Sequence, residues 1–257
     1  MDFLAHRSNV LQDIFWKVIV AKRVEIADQV RRFTSNIVQS GPFSGMLIPE
    51  EVSWGDGDFV PKVLGCYEAE VLNRLTQLSS KNYDAVVNIG SADGYYAVGL
   101  ARMFPNIPVY AYDSSPSAQV TTQKAAQINN TNNVVVKDFC SSETLIRLNE
   151  SHKKLLVLSD CEGYELELFN SSDVVRALGS SDLIIELHDI FRAGITPTLT
   201  AALSDTHTIE LDREGPRDPS SFEVLKSRDT MERFVAISEN RAQTMHWMIA
   251  VSRESAR

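Results

Sequence analysis

The sequence predicts an α/β fold built on a doubly wound, mostly parallel sheet of seven strands, with a helical N-terminal extension. Short, continuously apolar runs alternate with helix-length segments from residue 83 onward, which is typical of a parallel sheet covered on both faces. The last two runs are joined by a connector, so we expect a hairpin whose final strand is antiparallel at the sheet edge. Apolar residues at helical spacing over residues 9–39 predict the extension.

Each strand is predicted from its own apolar run, such as DAVVNI at 84–89 or DLIIEL at 182–187, and the helices from the segments between them. The predicted strands are 84–89, 108–112, 133–137, 154–159, 182–187, 207–211 and 245–251. The predicted helices between them are 94–104, 116–129, 142–150, 165–177 and 195–204.

The segment before the first strand has a different character. Residues 40–62 interrupt the helical pattern with glycines, prolines and aromatic residues, which predicts a loop, and residues 65–79 return to a helix. We therefore divide the chain into residues 1–80, an appendage that packs on the body or acts as a lid, and residues 81–257, the domain built on the sheet.

The composition argues against several classes of protein. The chain has 25 basic and 34 acidic residues and a net charge of −9, which argues against nucleic acid as a partner. Cys66, Cys140 and Cys161 have no CxxC spacing, which argues against a disulfide scaffold or a structural zinc site and favours a reducing, cytoplasmic location. No apolar run approaches about 18 residues, so we expect no membrane-spanning segment.

A glycine loop follows the first predicted strand, and an acid follows the second. The loop is Asn88-Ile-Gly90-Ser-Ala-Asp93-Gly94, and the acid is Asp113. Glycine lets a ligand approach the backbone, the next helix points its N-terminus at that ligand, and an acid at this place can bind the hydroxyls of an adenosine ribose. The pattern indicates a cofactor that contains a nucleoside.

Two classes of cofactor share this arrangement. A dinucleotide site needs GxGxxG, whereas these glycines are spaced GxxxG and Asp93 would repel a pyrophosphate. The same carboxylate would favour the cationic sulfonium and ammonium groups of S-adenosylmethionine, and Asn88 can hydrogen-bond the amino acid part of that cofactor. We therefore favour S-adenosylmethionine and keep a nicotinamide-dependent oxidoreductase as the alternative.

Three segments carry a resemblance to a known family. Residues 87–94 (VNIGSADG) are close to the pattern D-x-G-A-N-x-G, residues 159–165 (SDCEGYE) to D-x-E-G-x-E, and residues 185–188 (IELH) to E-x-H. Over about residues 40–250 the chain resembles the FkbM-type methyltransferases, with Asn88 where the family has an acid. The resemblance implies a class I, Rossmann-like fold and O-methylation of a hydroxyl on a sugar, a glycan or a glycosylated small molecule.

The fourth and fifth predicted strands should be neighbours, so their ends should lie side by side. Asp160 and Glu162 follow the fourth strand, and Glu186, His188 and Asp189 stand at the end of the fifth. His188 is the candidate general base for the acceptor hydroxyl, with Asp160 and Glu162 in the same catalytic site. A second mechanism uses a divalent cation held by Asp160, His188 and Asp189, a mixed oxygen and imidazole set that suits Mn²⁺ better than Mg²⁺.

The other candidates are contacts to the cofactor. Asp138 ends the third strand, where such folds often bind the adenine amino group, and Glu68 would reach the cofactor if its segment folds back over the site. The predicted cofactor-binding set is Glu68, Asn88, Gly90, Ser91, Asp93, Gly94, Tyr95, Asp113, Ser114 and Asp138. Glu165 is assigned only to the start of a helix, where the helix dipole favours a carboxylate.

The expected partner is a small-molecule or glycan acceptor. The N-terminal helix offers a surface for a homodimer, or for another partner if the protein is a catalytically silent S-adenosylmethionine-binding module. The enzyme and the silent module therefore both stay open as functions at this point.

Overall fold

The computed structural model describes residues 2–50, 58–239, 241 and 243–256; within these ranges, side chains are described at residue 12 and from 14 to 254. Seven strands form one sheet. They are β1 (Ala85–Ile89), β2 (Val109–Tyr112), β3 (Val134–Lys137), β4 (Leu155–Ser159), β5 (Asp182–Glu186), β6 (His207–Arg213) and β7 (His246–Ser252). Their order is β3-β2-β1-β4-β5-β7-β6. The pairings of β7 with β5 and with β6 are antiparallel and the other four pairings are parallel, which confirms the predicted mostly parallel sheet. The final strand β7 lies between β5 and β6, so the edge strand is β6.

Ten α-helices are described around this sheet. They are α1 (Asp2–Thr34), α2 (Phe59–Leu64), α3 (Ala69–Leu78), α4 (Tyr95–Met103), α5 (Pro116–Ile128), α6 (Ser142–His152), α7 (Glu165–Phe169), α8 (Ser172–Ala177), α9 (Ile195–Leu203) and α10 (Thr230–Ile237).

The helix boundaries correct the predictions at four places. The first helix ends at Thr34 rather than near residue 39, because Ser35 and Asn36 adopt left-handed backbone angles. The expected loop 40–62 contains α2 at its end, and the helix expected at 65–79 begins at Ala69. The single helix expected at 165–177 is two helices, because Ser171 caps the start of α8 with its own side chain. The connector between the last two strands contains α10.

The two faces of the sheet are covered by different helices. Strands β1, β4 and β5 are buried at every position, which explains why their sequences are continuously apolar. Helices α6 to α9 pack on one face through residues such as Leu145 and Leu199. The other face is covered by α4, α10 and the N-terminal segment, with Ile26 and Leu75 in the same apolar cluster as Ile184 of β5. The division of the chain at residue 80 stays a prediction.

Helix α1 is buried only in its C-terminal part. Ile26 and Val30 are fully buried, whereas Ile14, Phe15 and Val18 are exposed. The exposed part leaves an apolar surface, and its use for a homodimer stays a prediction. In the part of the chain that the structure describes, no helix has the length and apolar character that crossing a membrane would require.

The order of the strands reverses between β1 and β4, and a crevice opens at their C-terminal ends. Gly90 lies at this point with a φ of +80°, and a Cβ built on it would lie 1.7 Å from the carbonyl oxygen of Asp160. Only glycine tolerates both conditions, so Gly90 allows the ends of β1 and β4 to approach closely. The predicted cofactor loop and the predicted catalytic residues therefore meet here.

Candidate active site

A cavity of about 420 Å³ lies over the C-terminal ends of β1, β2 and β4, and we call it the cofactor cavity. Four of the predicted cofactor-binding residues line it: Gly90, Asp113, Ser114 and Asp138. Phe139 and Tyr164 also line it, with ring centroids 5.5 Å apart, and add an apolar wall suited to an aromatic base.

Asp113 is held rigidly at the end of β2. The backbone N–H of Ala92 donates to its Oδ2 at 2.8 Å, and that of Ser115 donates to its Oδ1 at 2.9 Å. Each carboxylate oxygen keeps a further lone pair for another donor. The glycine loop and the segment before α5 thus hold the carboxylate of Asp113 at the wall of the cavity, where it is suited to bind a pair of ribose hydroxyls.

Asp93 does not line the cofactor cavity, and a contact of its carboxylate with the cofactor stays a prediction. Its Oδ2 accepts a hydrogen bond from Nζ of Lys62 at 2.7 Å, and its Oδ1 accepts one from the backbone N–H of Tyr95 at 3.1 Å. Both Asp93 and Lys62 are buried, so the carboxylate is neutralised by an ion pair. Its negative charge is therefore used to hold α2 against the glycine loop.

The other predicted cofactor residues also lie outside the cavity walls. Ser91 shares a hydrogen bond with Thr122, 3.1 Å between the hydroxyl oxygens, and Gly94 takes a φ of +84° at the start of α4. The ring of Tyr95 packs edge-on against Phe43. Glu68 is buried and accepts a hydrogen bond from the hydroxyl of Tyr96.

Asn88 is the exception that still points to a ligand. Its side chain is fully buried at the end of β1, and neither its amide oxygen nor its amide nitrogen has a partner among the described residues. A buried amide without hydrogen bonds costs about 1–3 kcal/mol, so such groups are rare unless something else satisfies them. Together with the close approach at Gly90, this orphaned amide fits the amino acid end of S-adenosylmethionine.

A second cavity of about 270 Å³ adjoins the first, and we call it the acceptor cavity. The two cavities share Asp160 and Glu162 as walls. Beyond them the acceptor cavity is lined by Glu186, His188 and Arg241, and by several other side chains. The predicted catalytic residues therefore stand where the two cavities meet.

His188 is held by a carboxylate that we had assigned only to a helix start. Its Nδ1–H donates to Oε1 of Glu165 at 2.5 Å, and both side chains are buried. The backbone N–H of Gly163 donates to the same oxygen at 3.2 Å. Glu165 thereby fixes the orientation of the imidazole, and Nε2 is the nitrogen left for other groups.

The Nε2 atom of His188 lies among three carboxylates. It is 3.5 Å from Oδ1 of Asp160, 3.5 Å from Oε2 of Glu162 and 3.6 Å from Oε2 of Glu186. Burial lowers the pKa of His188, but the hydrogen bond to Glu165 and the charge of Asp160 outweigh it, so the pKa lies above its ordinary value. A histidine in this state can accept and hold a proton near neutral pH.

Arg241 connects the carboxylates on the far side of the acceptor cavity. Its guanidinium donates to Glu68, Glu186 and Glu239. Burial and the charge of Asp160 raise the pKa of Glu186 to about 11, although Arg241 opposes that shift. Burial raises the pKa of Glu68 to about 7. The site thus holds more buried carboxyl groups than Arg241 neutralises.

Asp189 does not join this group, which corrects the predicted metal set. Its carboxylate accepts hydrogen bonds from the backbone N–H of Gly194 and from the backbone N–H and hydroxyl of Thr196, at the start of α9. The donor atoms that do gather belong to Asp160, Glu186 and His188, and they all lie within 4.8 Å of one another. Glu186 takes the place that we had predicted for Asp189.

The predicted site residues leave out three residues of this cluster: Glu165, Glu186 and Arg241. The first two lie within the motifs D-x-E-G-x-E and E-x-H, so those patterns contained a signal that could have found them. Arg241 lies in no motif, and its partners Glu68 and Glu186 are 173 and 55 residues away along the chain. Its role becomes visible only after the chain is folded.

No model of a known protein family matches the sequence, and no curated protein matches it at a significant level. Solved structures do match, at low sequence identity. The precorrin-6y C5,15-methyltransferase of Geobacter metallireducens is 12% identical with a TM-score of 0.48, over 69% of this chain and 84% of that one. The geranyl diphosphate C-methyltransferase of Streptomyces coelicolor is 15% identical with a TM-score of 0.45, over 80% and 85%.

A third similar structure is an rRNA methylase of Streptococcus thermophilus. It is 13% identical with a TM-score of 0.44, over 71% of this chain and 96% of that one. All three TM-scores lie below 0.5, and the fold of this chain rests on its own strand order, β3-β2-β1-β4-β5-β7-β6.

Proposed function

We propose that this protein transfers a methyl group from S-adenosylmethionine to a hydroxyl group of an acceptor. The observation that carries the proposal is the junction of the two cavities. A cavity with nucleoside-binding features and a second, polar cavity share Asp160 and Glu162 as walls, and Nε2 of His188 lies 3.5 Å from a carboxylate oxygen of each.

The walls of the cofactor cavity suit S-adenosylmethionine. The carboxylate of Asp113 lines the cavity and would bind the ribose hydroxyls, and Asp138 at the end of β3 would bind the adenine base. The buried amide of Asn88 lacks partners among the described residues and would bind the amino acid part. When bound, this cofactor supplies a methyl group made electrophilic by a sulfonium charge. The carboxylates of Asp160 and Glu162 at the junction would stabilise that positive charge.

His188 has the geometry of a general base for the acceptor hydroxyl. Methyl transfer to oxygen requires the hydroxyl proton to leave, and a positioned imidazole that takes it contributes roughly 10²–10⁴-fold to the rate. The proton would go to Nε2, while Glu165 holds Nδ1–H and stabilises the imidazolium that forms. The raised pKa of His188 agrees with this role.

The acceptor that we propose is a sugar, a glycan or another polyhydroxylated small molecule. The acceptor cavity is lined by Asp58, Glu162, Glu239, Arg241 and Gln243, so donors and acceptors of hydrogen bonds surround a bound molecule. Tyr67 and Phe191 add apolar surface to it. Hydroxyl groups around a compact ring would match such a lining.

A divalent cation is a second candidate for the same junction, and the grouping of Asp160, Glu186 and His188 is the observation that favours it. In that case the cation would lower the pKa of the acceptor hydroxyl, and His188 would be a ligand rather than a base. Titration of the metal-free protein with Mn²⁺ separates the two. Tight binding that His188→Ala and Glu186→Gln both abolish would favour the metal, whereas no heat of binding would favour the base.

Calorimetric titration with S-adenosylhomocysteine, with NAD⁺ as the control, tests the cofactor. We expect micromolar binding of the first and none of the second, and the reverse result would favour the nicotinamide-dependent oxidoreductase. His188→Ala should keep this affinity and lose methyl transfer. Binding of S-adenosylhomocysteine with no turnover on any hydroxylated acceptor would favour the silent binding module.

A further inference from the structure

A third cavity, of about 580 Å³, lies next to the acceptor cavity. The two share Arg241 and Gln243 as walls. The third cavity is further lined by Trp16, Glu214, Gly215, Ser238 and Thr244, and we call it the outer cavity. Among the described helices, α1 contributes a lining residue to it, Trp16.

Trp16 is directed toward the body of the protein by the phase of the helix. It precedes Arg23 by seven residues, which is about two turns of an α-helix, so the two side chains share one face. Arg23 and Ile26 on this face are buried, whereas Ile14 and Val18 on the opposite face are exposed. Trp16 is 48% exposed and lines the outer cavity.

The other walls of the outer cavity are held in place by the hairpin of β6 and β7. The backbone N–H of Glu214 donates to the carbonyl oxygen of Met245 at 3.0 Å, and the N–H of Met245 donates to Oε2 of Glu214 at 3.4 Å. Met245 itself lines the acceptor cavity. The hydrogen bonds between Glu214 and Met245 thus link a wall of the outer cavity to a wall of the acceptor cavity.

Arg241 forms the wall between the cavities. Glu68, Glu186 and Glu239 accept hydrogen bonds from its guanidinium, so it is oriented without any ligand. Gln243 lines both cavities as well, and its amide can donate and accept hydrogen bonds. A molecule that extends from one cavity into the other would therefore pass over the side chains of Arg241, which is held in place, and Gln243, which is exposed.

The volumes suggest an acceptor longer than one ring. The acceptor cavity of about 270 Å³ is smaller than the range of about 300–1,000 Å³ that is common for ligand sites, whereas the outer cavity adds about 580 Å³. The residues that line the outer cavity include the aromatic Trp16 and the polar Glu214, Thr244 and Gln243. An aromatic face beside such groups suits a ring that has C–H groups on one face and hydroxyls at its edge.

We propose that the outer cavity is a second acceptor subsite, which binds a sugar ring on Trp16 while the ring to be methylated lies beside His188. The acceptor is then an oligosaccharide or another chain of at least two hydroxylated rings. This inference rests on the proposed function for the position of the methylated ring, but binding in the outer cavity does not require methyl transfer.

Binding to an array of defined glycans of one to six rings tests the subsite. The variants are Trp16→Ala and, as a matched control, Phe33→Ala, which removes another exposed aromatic ring of α1 that lines neither cavity. With S-adenosylhomocysteine present, we expect the wild type to bind glycans of two or more rings. Trp16→Ala should weaken that binding by about tenfold or more, and Phe33→Ala should leave it unchanged.

Three outcomes would overturn the subsite: no glycan of any length binds, single rings bind as well as longer chains, or Trp16→Ala binds like the wild type. The His188→Ala variant separates this test from that of the proposed function. If it keeps glycan binding, and no bound glycan is methylated by the wild type, the subsite stands and the proposed function fails.

Discussion

Oε1 of Glu165 lies 2.5 Å from Nδ1 of His188, and both side chains are buried between the ends of β4 and β5. The two residues are 23 positions apart, one at the start of α7 and the other just after β5. Because Glu165 binds Nδ1, the other ring nitrogen of His188, Nε2, faces Asp160 and Glu162 at the junction of the cofactor and acceptor cavities. This pair is the part of the site on which the proposed chemistry depends most.

The first prediction concerns this pair. Glu165→Gln removes the negative charge that raises the pKa of His188, so the pKa falls. We expect the acidic limb of kcat/KM against pH to move to lower pH, with a reduced kcat. His188→Ala should lose roughly 10²–10⁴-fold in kcat and lose that limb altogether. If the limb does not move in Glu165→Gln, another group acts as the base.

The second prediction concerns the stability of the protein against pH. Glu186 has a pKa raised from 4.5 to about 11, so the folded protein binds more protons than the unfolded chain between these values. Stability should therefore decrease as pH rises through this window. We expect Glu186→Gln to make the melting temperature less dependent on pH between 6 and 9, measured by calorimetry. The exposed Glu223→Gln is the control, and an equal flattening there would contradict the assignment.

The third prediction uses two glycines with similar backbone angles. Gly90 and Gly194 have φ of +80° and +91°, but a Cβ at Gly90 would meet the carbonyl oxygen of Asp160 at 1.7 Å, whereas a Cβ at Gly194 meets nothing within 4 Å. Gly194→Ala should cost about 1–2 kcal/mol of stability from backbone strain alone. Gly90→Ala should cost more and weaken binding of S-adenosylhomocysteine. Equal losses of stability in the two variants would mean that the backbone around Gly90 shifts easily to make room for a Cβ.

The fourth prediction decides the role of Asp93. Removing one partner of a buried ion pair costs about 3–5 kcal/mol, so Asp93→Ala should be strongly destabilised by the charge left on Lys62. Replacing both residues, by Lys62→Met and Asp93→Leu, should restore much of the stability measured by denaturant unfolding. The double variant should still bind S-adenosylhomocysteine. A large loss of affinity for S-adenosylhomocysteine in the double variant would mean that Asp93 contacts the cofactor.

The fifth prediction concerns the exposed face of α1. Ile14 and Val18 lie one turn apart on the face opposite Trp16, and both are exposed. If two copies of the chain pair through this face, sedimentation should show a dimer that dissociates on Ile14→Ser with Val18→Ser. Because Trp16 is on the other face, the same variant should keep its binding of glycans. A monomer at all concentrations in the wild type would exclude this pairing.

Much of the fold could be predicted because its signals are local. Strands such as β4 and β5 are buried on both faces, so each is a continuous apolar run, and their observed ends differ from the predicted ends by one residue at most. The short helix α2 was missed because Gly55, Gly57 and Pro61 in or near it are typical of loops, and its six residues are held by packing. The break between α7 and α8 was missed because apolar residues continue on both sides of Asn170 and Ser171.

The amino-acid sequence by itself determined the sheet, the glycine loop and the set of polar residues at the strand ends, because each of these depends on neighbours along the chain. The tertiary structure decided which of those polar residues meet. Asp93 forms an ion pair with Lys62, Asp189 accepts hydrogen bonds at the start of α9, and Glu165 binds Nδ1 of His188. Such contacts join residues on separate elements, and whether a carboxylate faces a ligand, a lysine or a helix end depends on how those elements pack.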